Sequence, residues 1–169
     1  LCAAAAARLR LMWTPSFLNG LGNFVGAISW GTDIGLGHLD LGQFDFWSEI
    51  PSACFAAALI PRWIIEEIGC LDEGFPMYYE DCEWCYRARL LGYKIQAAPK
   101  AIVDHAFSAR QPGEISASLS PVKLRRVSYG RLRFITCING SGYFWSFLIN
   151  YLLEDGIRSF IHLIKGRLS

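Results

Sequence analysis

No strongly apolar run near the end of this 169-residue chain reaches the ~20 residues that a membrane-spanning helix needs. The longest such run near the end, residues 143–153, stops at Glu154-Asp155-Gly156. Charge is scarce too. Asp, Glu, Lys and Arg make up 18% of the chain against 53% hydrophobic residues, which is not the composition of a disordered protein. The length predicts one domain with a core of its own. There is no internal repeat and no low-complexity linker. Nothing reads as a secretory leader, because the apolar opening, residues 1–7, is short and is followed by Arg8 and Arg10. The first residue is Leu1 and not Met, so the expectation is a piece of a longer polypeptide.

The six cysteines, Cys2, Cys54, Cys70, Cys82, Cys85 and Cys137, have no regular spacing of the kind that staples small secreted domains. Buried or bystander thiols in a reducing compartment are expected. Cys82-x-x-Cys85 looks like half of a zinc site or a redox pair. No second Cys/His pair stands at a zinc-finger spacing, and this pair sits in a helix-like stretch.

What charge there is lies unevenly. Residues 1–120 hold 8 Lys+Arg and 13 Asp+Glu, whereas residues 121–169 hold 8 and 2. A basic end on an acidic body suggests an anionic contact. The aliphatic and aromatic residues of the same tail favour a membrane surface over nucleic acid, and no nucleic-acid partner is expected.

Local patterns predict the elements. Residues 1–11 favour helix by propensity. Residues 19–45 carry seven glycines, Gly20, Gly22, Gly26, Gly31, Gly35, Gly37 and Gly42, and read as one long functional loop. Residues 52–60 form an apolar run of strand length. Pro61 suits the start of a helix with Ile64, Ile65 and Ile68 on its buried face, and Gly69 ends it. After a loop over 71–76, Asp81 can cap a second helix with Trp84, Cys85, Ala88 and Leu91 on one face and Glu83 four residues before Arg87. Two short strands, 93–98 and 101–103, flank Pro99-Lys100, and His105 falls just past them. Residues 106–121 read as loop. From Pro121 the chain is helical and amphipathic.

Glu80-Asp81 at a helix start is ordinarily a cap and a first-turn acid that complement the helix dipole. Here Tyr78 and Tyr79 precede the pair and Trp84 follows one turn later. Carboxylates among aromatic rings suit a sugar: rings stack on pyranose faces and carboxylates accept hydroxyl hydrogens.

The runs Cys54-Phe55-Ala56-Ala57-Ala58-Leu59-Ile60-Pro61-Arg62, Glu67-Ile68-Gly69-Cys70-Leu71-Asp72-Glu73-Gly74-Phe75 and Met77-Tyr78-Tyr79-Glu80-Asp81-Cys82-Glu83-Trp84-Cys85-Tyr86-Arg87-Ala88-Arg89 resemble the middle of family 2 glycosyltransferases. So do Gly92-Tyr93-Lys94-Ile95 and Pro99-Lys100-Ala101. The likeness is nearest to the bacterial rhamnosyltransferase-like branch, which builds cell-surface polysaccharides. Asn19-Gly20-Leu21-Gly22-Asn23 and Gly42-Gln43-Phe44-Asp45 extend it over roughly residues 15–135.

The resemblance implies an α/β fold of the GT-A type, here its C-terminal, acceptor-side half over residues 1–120, with a helical tail over 121–169. It implies inverting transfer from a nucleotide-diphospho-sugar to a saccharide or lipid-linked saccharide acceptor. Asp81 would be the catalytic base and Glu80 its neighbouring acid. Tyr79, Trp84 and Arg87 would line the acceptor side, with core packing and a salt bridge to Glu83 as the competing account of Trp84 and Arg87. His105, 24 residues after Asp81, would be a ligand for a divalent metal, Mn or Mg, together with an Asp-x-Asp motif. No such motif occurs in this chain, and the nucleotide-binding half is absent, so metal and donor are expected only with that missing N-terminal half.

Two readings of the tail stand side by side. In one, Phe144, Trp145, Phe147, Leu148, Ile149, Phe160, Ile161, Leu163 and Ile164 with their basic neighbours dock the enzyme at the inner, cytoplasmic face of the plasma membrane. In the other, these helices pack back on the domain. A non-catalytic truncated remnant, acting as a binding or membrane-associated module, is the alternative function.

Overall fold

The computed structural model describes residues 1–26, 31–107 and 122–138, with isolated positions at 145, 148, 149, 152, 153 and 157. It is a mixed α/β domain centred on one strand, β1 (Cys2–Leu11). The long strand β6 (Lys94–His105) pairs with β1 in parallel, from Cys2↔Lys94 to Leu11↔His105. The opposite edge of β1 is shared antiparallel by β5 (Ala58–Leu59) and β2 (Thr14–Gly20).

The helix predicted over residues 1–11 is therefore a strand. Alanine's helix propensity is a local preference, and a helix this short is marginal alone in water. Pairing on both edges overrides it. Small side chains then suit a central strand, since Ala3, Ala4 and Ala6 are buried with Ile50, Ala53, Ile64, Trp84, Cys85, Ala88 and Ile95 in one core.

The two strands predicted around Pro99-Lys100 are one. Ala98 pairs with Ala7 and Ile102 with Arg8, so Pro99, Lys100 and Ala101 bulge out of the ladder. Proline has no N–H to donate, and a bulge is where a sheet tolerates it.

The glycine-rich stretch is not one irregular loop. It contains the ribbon of β3 (Asn23–Val25) and β4 (Gly31–Asp33), paired Asn23↔Asp33, Phe24↔Thr32 and Val25↔Gly31. Three-residue strands are too short to show a period of two in sequence. Gly22, at φ +144°, has to be glycine: a Cβ there would lie 2.5 Å from the Ser52 carbonyl oxygen. Farther along, the buried Arg8 of β1 reaches Asp40 at 3.0 Å and also pairs with Asp45, which pins residues 40–45 to the sheet.

Of the apolar run 52–60, only Ala58–Leu59 is strand. Helix α1 (Arg62–Ile68) follows, with Pro61 as its N-cap and Gly69, at φ +91°, as its C-cap. Only Ile64 of its three isoleucines is fully buried. Helix α2 (Glu80–Leu90) ends at Leu91, and the Gly92 N–H bonds the Arg89 carbonyl. Residues 122–138 form a helix, α3.

Helix α3 packs on the body. Arg131, Phe134 and Ile135 are buried, and Phe134 joins Phe75, Tyr79 and Cys82 in a second apolar cluster. Arg133 donates to both carboxylate oxygens of Asp72, to Oδ2 at 2.8 Å and to Oδ1 at 3.0 Å. The basic residues of this stretch thus serve intramolecular contacts at Arg131 and Arg133. Most of 143–169, where the membrane reading lies, falls outside the described residues. Among the described residues no helix is long and apolar enough to cross a membrane.

Candidate functional site

The site forms where α2 begins. Tyr78 and Tyr79 both take the left-handed conformation, at φ 73° and 71°, which costs a non-glycine residue of order 1–3 kcal/mol. Tertiary contacts hold them there. The Tyr79 hydroxyl accepts a hydrogen bond from the Gly31 N–H at 2.9 Å, and its ring packs 5.7 Å from that of Phe134. From the other side α3 comes so close that a Cβ on Gly130 would lie 2.5 Å from the Tyr78 carbonyl oxygen. The strained turn is clamped between β4 and α3.

Tyr79, and not Asp81, is the N-cap of α2, and it makes no side-chain cap bond. Asp81 lies inside the first turn, where the positive end of the helix favours its charge. Its Oδ1 accepts from the Cys82 N–H at 2.8 Å. Its Oδ2 accepts from Asn23 Nδ2 at 2.8 Å and from the Phe55 N–H at 3.4 Å. Burial raises the Asp81 pKa, against the opposing effect of these hydrogen bonds.

Two more carboxylates share this region. Burial raises the Glu80 pKa, and the neighbouring Asp81 charge adds to it. Glu80 Oε2 is buried with no hydrogen-bond partner among the described residues. Asp33, at the end of β4, is pushed up to about 6 by burial and then by Asp81, with Lys123 of α3 opposing. The Cys54 thiol is raised to about 12, first by burial, with the charges of Asp81, Asp33 and Glu80 adding. Its surroundings favour the neutral thiol over the thiolate. Asn23 is 8% exposed, and its Oδ1 has no partner among the described residues. Beside Asp81 two enclosed acceptor oxygens, Asn23 Oδ1 and Glu80 Oε2, thus have no donor among the described residues.

His105 closes β6. Its Nδ1 lies 2.5 Å from Asn19 Oδ1, so Nδ1 carries the hydrogen and Nε2 keeps the lone pair. Burial lowers its pKa. Asn19 and Asn23 stand at the two ends of the turn Gly20-Leu21-Gly22, so one five-residue segment touches both His105 and Asp81. Four backbone steps span at most ~14 Å.

The donor set around His105 does not make a metal site by itself. The adjacent carboxylate, Asp104, is engaged by Arg10 at 2.9 Å. Among the described residues no three His, Cys, Asp or Glu side chains are placed to hold an ion.

The other predicted acceptor residues are structural in position. Trp84 is 2% exposed; its Nε1–H donates to the Gly69 carbonyl at 2.8 Å and its ring meets Phe55 edge-on at 5.6 Å. A ring so enclosed offers no face to a sugar. Arg87 binds Glu83 at 2.7 Å and the carbonyls of Ile68 and Cys70 at 2.7 and 2.8 Å. It ties the end of α1 to α2. Tyr79 is buried as well. Cys82 and Cys85 are both buried, and no disulfide joins them.

Sequence reasoning missed Asp33 and Cys54 as members of the site and gave no role to Asn19 or Asn23. The asparagines carried a faint signal, as polar residues closing a glycine-rich turn. Asp33 carried none, because strand pairing alone brings it beside Asn23.

No protein-family model matches this chain, and a search of curated proteins finds no match.

Proposed function

We propose that this chain is the acceptor-side half of a GT-A glycosyltransferase, and that Asp81 is its catalytic base in inverting transfer from a nucleotide-diphospho-sugar. The observation that carries this reading is Asp81 itself. It is a carboxylate positioned by three N–H donors at the start of a helix, with burial raising its affinity for a proton.

In this reaction Asp81 takes the proton of an acceptor hydroxyl as its oxygen attacks the anomeric carbon. The bond from that carbon to the diphosphate oxygen breaks on the opposite face, and the nucleotide diphosphate leaves with the electron pair. Glu80 disfavours a second negative charge beside it and so makes Asp81 a better proton acceptor. The acceptor is a saccharide, free or lipid-linked, which would place the reaction at the inner face of the plasma membrane. His105 would meet a divalent ion only together with ligands from the donor half, and such an ion would supply charge neutralisation at the diphosphate.

The test is Asp81→Asn in the longest natural polypeptide that contains this chain. Loss of transfer with intact donor binding supports the role. Retained turnover, or loss of donor binding, removes it.

A further inference from the structure

Asp33 stands apart from its neighbours. Asp81 is held by three donors and Asp72 by Arg133, but the Asp33 carboxylate makes no hydrogen bond or ion pair among the described residues. It is only partly buried. Its backbone pairs across the ribbon with Asn23, and the Asn23 amide in turn donates to Asp81 Oδ2. Asn23 therefore bonds one carboxylate through its side chain and is the strand partner of the residue that carries the other. Its own Oδ1, in a side chain more than nine-tenths buried, has no partner. The opposite amide orientation would turn Oδ1 toward Asp81 and set two acceptors against each other, so the unpartnered oxygen is fixed by the bond to Asp81. Glu80 Oε2 is a second buried acceptor without a donor. These groups share one deficiency, hydrogen-bond donors. The backbone fixes where Asp33 sits: Gly20 packs against it, a Cβ there lying 3.1 Å from the Asp33 Cβ.

We propose that Asp33 binds a second hydroxyl of the saccharide acceptor, beside the one that Asp81 deprotonates, and so selects acceptors with two neighbouring free hydroxyls. The inference rests on Asp81 being the acceptor base. It adds a specificity residue from a different element, and it names the acceptor class as a vicinal diol. A pyranose ring supplies such a pair as two donors fixed to adjacent carbons. A carboxylate that lacks its hydroxyl partner keeps the electrostatic attraction of Lys123 but no hydrogen bond, so an acceptor without the second hydroxyl is discriminated against.

The experiment is an NMR titration of the full chain with methyl glycopyranosides and their monodeoxy analogues, read at the Asn23 side-chain amide. In the wild type two monodeoxy analogues bind about tenfold or more weakly than the parent glycoside, as expected for loss of a charge-assisted hydrogen bond. Asp33→Asn weakens the parent by a similar factor and abolishes the discrimination at one of the two hydroxyls while keeping the other. Asp33→Ala, which removes the carboxylate and the amide alike, gives the same pattern and guards against a fortuitous contact from asparagine. Wild-type affinity with unchanged deoxy discrimination in both variants overturns the role of Asp33 and leaves that of Asp81 standing. If no glycoside shifts Asn23 in the wild type, the acceptor-side reading falls and this inference with it. If Mg²⁺ alone shifts Asn23 and Asp33→Asn abolishes that shift, the acids serve a cation and the diol assignment is overturned.

Discussion

Asn23 Nδ2 lies 2.8 Å from Asp81 Oδ2, and this bond joins the β3–β4 ribbon to the first turn of α2. It is made between partly or fully buried groups, one of them charged, so it is worth more than a typical surface hydrogen bond. Asn23→Ala removes it and leaves Asp81 with its backbone donors only. We expect a loss of about 1.5–3 kcal/mol, measured by urea unfolding. We also expect the Asp81 carboxyl to titrate higher than in the wild type, since a bond that favours its charged form is gone. A stability within experimental error of the wild type would remove this bond from the account.

The Asp33 carboxyl, raised to about 6 by burial and by Asp81, makes stability depend on pH in a defined direction. Its folded pKa exceeds the unfolded value near 3.8, so between these values the folded state binds more protons than the unfolded one. The contribution is fully present below about pH 4 and is lost as pH rises through 6. Because the group is partly exposed, the effect is on the order of 1–2 kcal/mol after solvent screening. Urea midpoints across this range should fall less with rising pH in Asp33→Asn than in the wild type. Equal slopes in the two proteins would contradict the assignment.

Gly130 sits where α3 meets the Tyr78 carbonyl, and an added Cβ would come within 2.5 Å of that oxygen. The neighbour is backbone and cannot swing away. Gly130→Ala should cost roughly 1–3 kcal/mol from overpacking and should raise amide hydrogen exchange at residues 78–81. Exchange unchanged there would mean that α3 does not clamp the turn.

Arg87 and Trp84 carry opposite expectations under their structural and acceptor-binding roles. Arg87→Ala leaves Glu83 and the Ile68 and Cys70 carbonyls without their partner, at about 2–3 kcal/mol. Trp84→Phe removes the bond to the Gly69 carbonyl, at about 1 kcal/mol. Both variants should unfold at lower urea. In the longest natural polypeptide that contains this chain, at temperatures where they remain folded, both should keep the wild-type KM for acceptor. A raised KM without a stability loss would restore them to the acceptor surface.

How far sequence reading reached followed the range of the interactions involved. Helix α1 and the Glu83–Arg87 pair were legible because proline, glycine and i,i+4 spacing act locally. The strand at residues 2–11 was not, since alanine's local preference is for helix and it is overridden by pairing on both edges, most extensively with β6 some 90 residues later. Asp81 stood out through its aromatic surroundings, yet its cap role fell to Tyr79, whose left-handed backbone is enforced by Gly31 and Phe134 from distant segments. Asp33 was invisible for the same reason. A residue that joins a site through strand pairing leaves no spacing in the sequence.

The role of Asp81 is tested by glycosyl transfer from Asp81→Asn in the longest natural polypeptide that contains this chain, with donor binding measured on the same sample. Asparagine keeps the size of the side chain and an oxygen for Asn23, but it cannot take a proton at neutral pH. Turnover should fall by about 10²–10⁴-fold while donor binding is unchanged. Turnover near the wild-type rate would contradict that role.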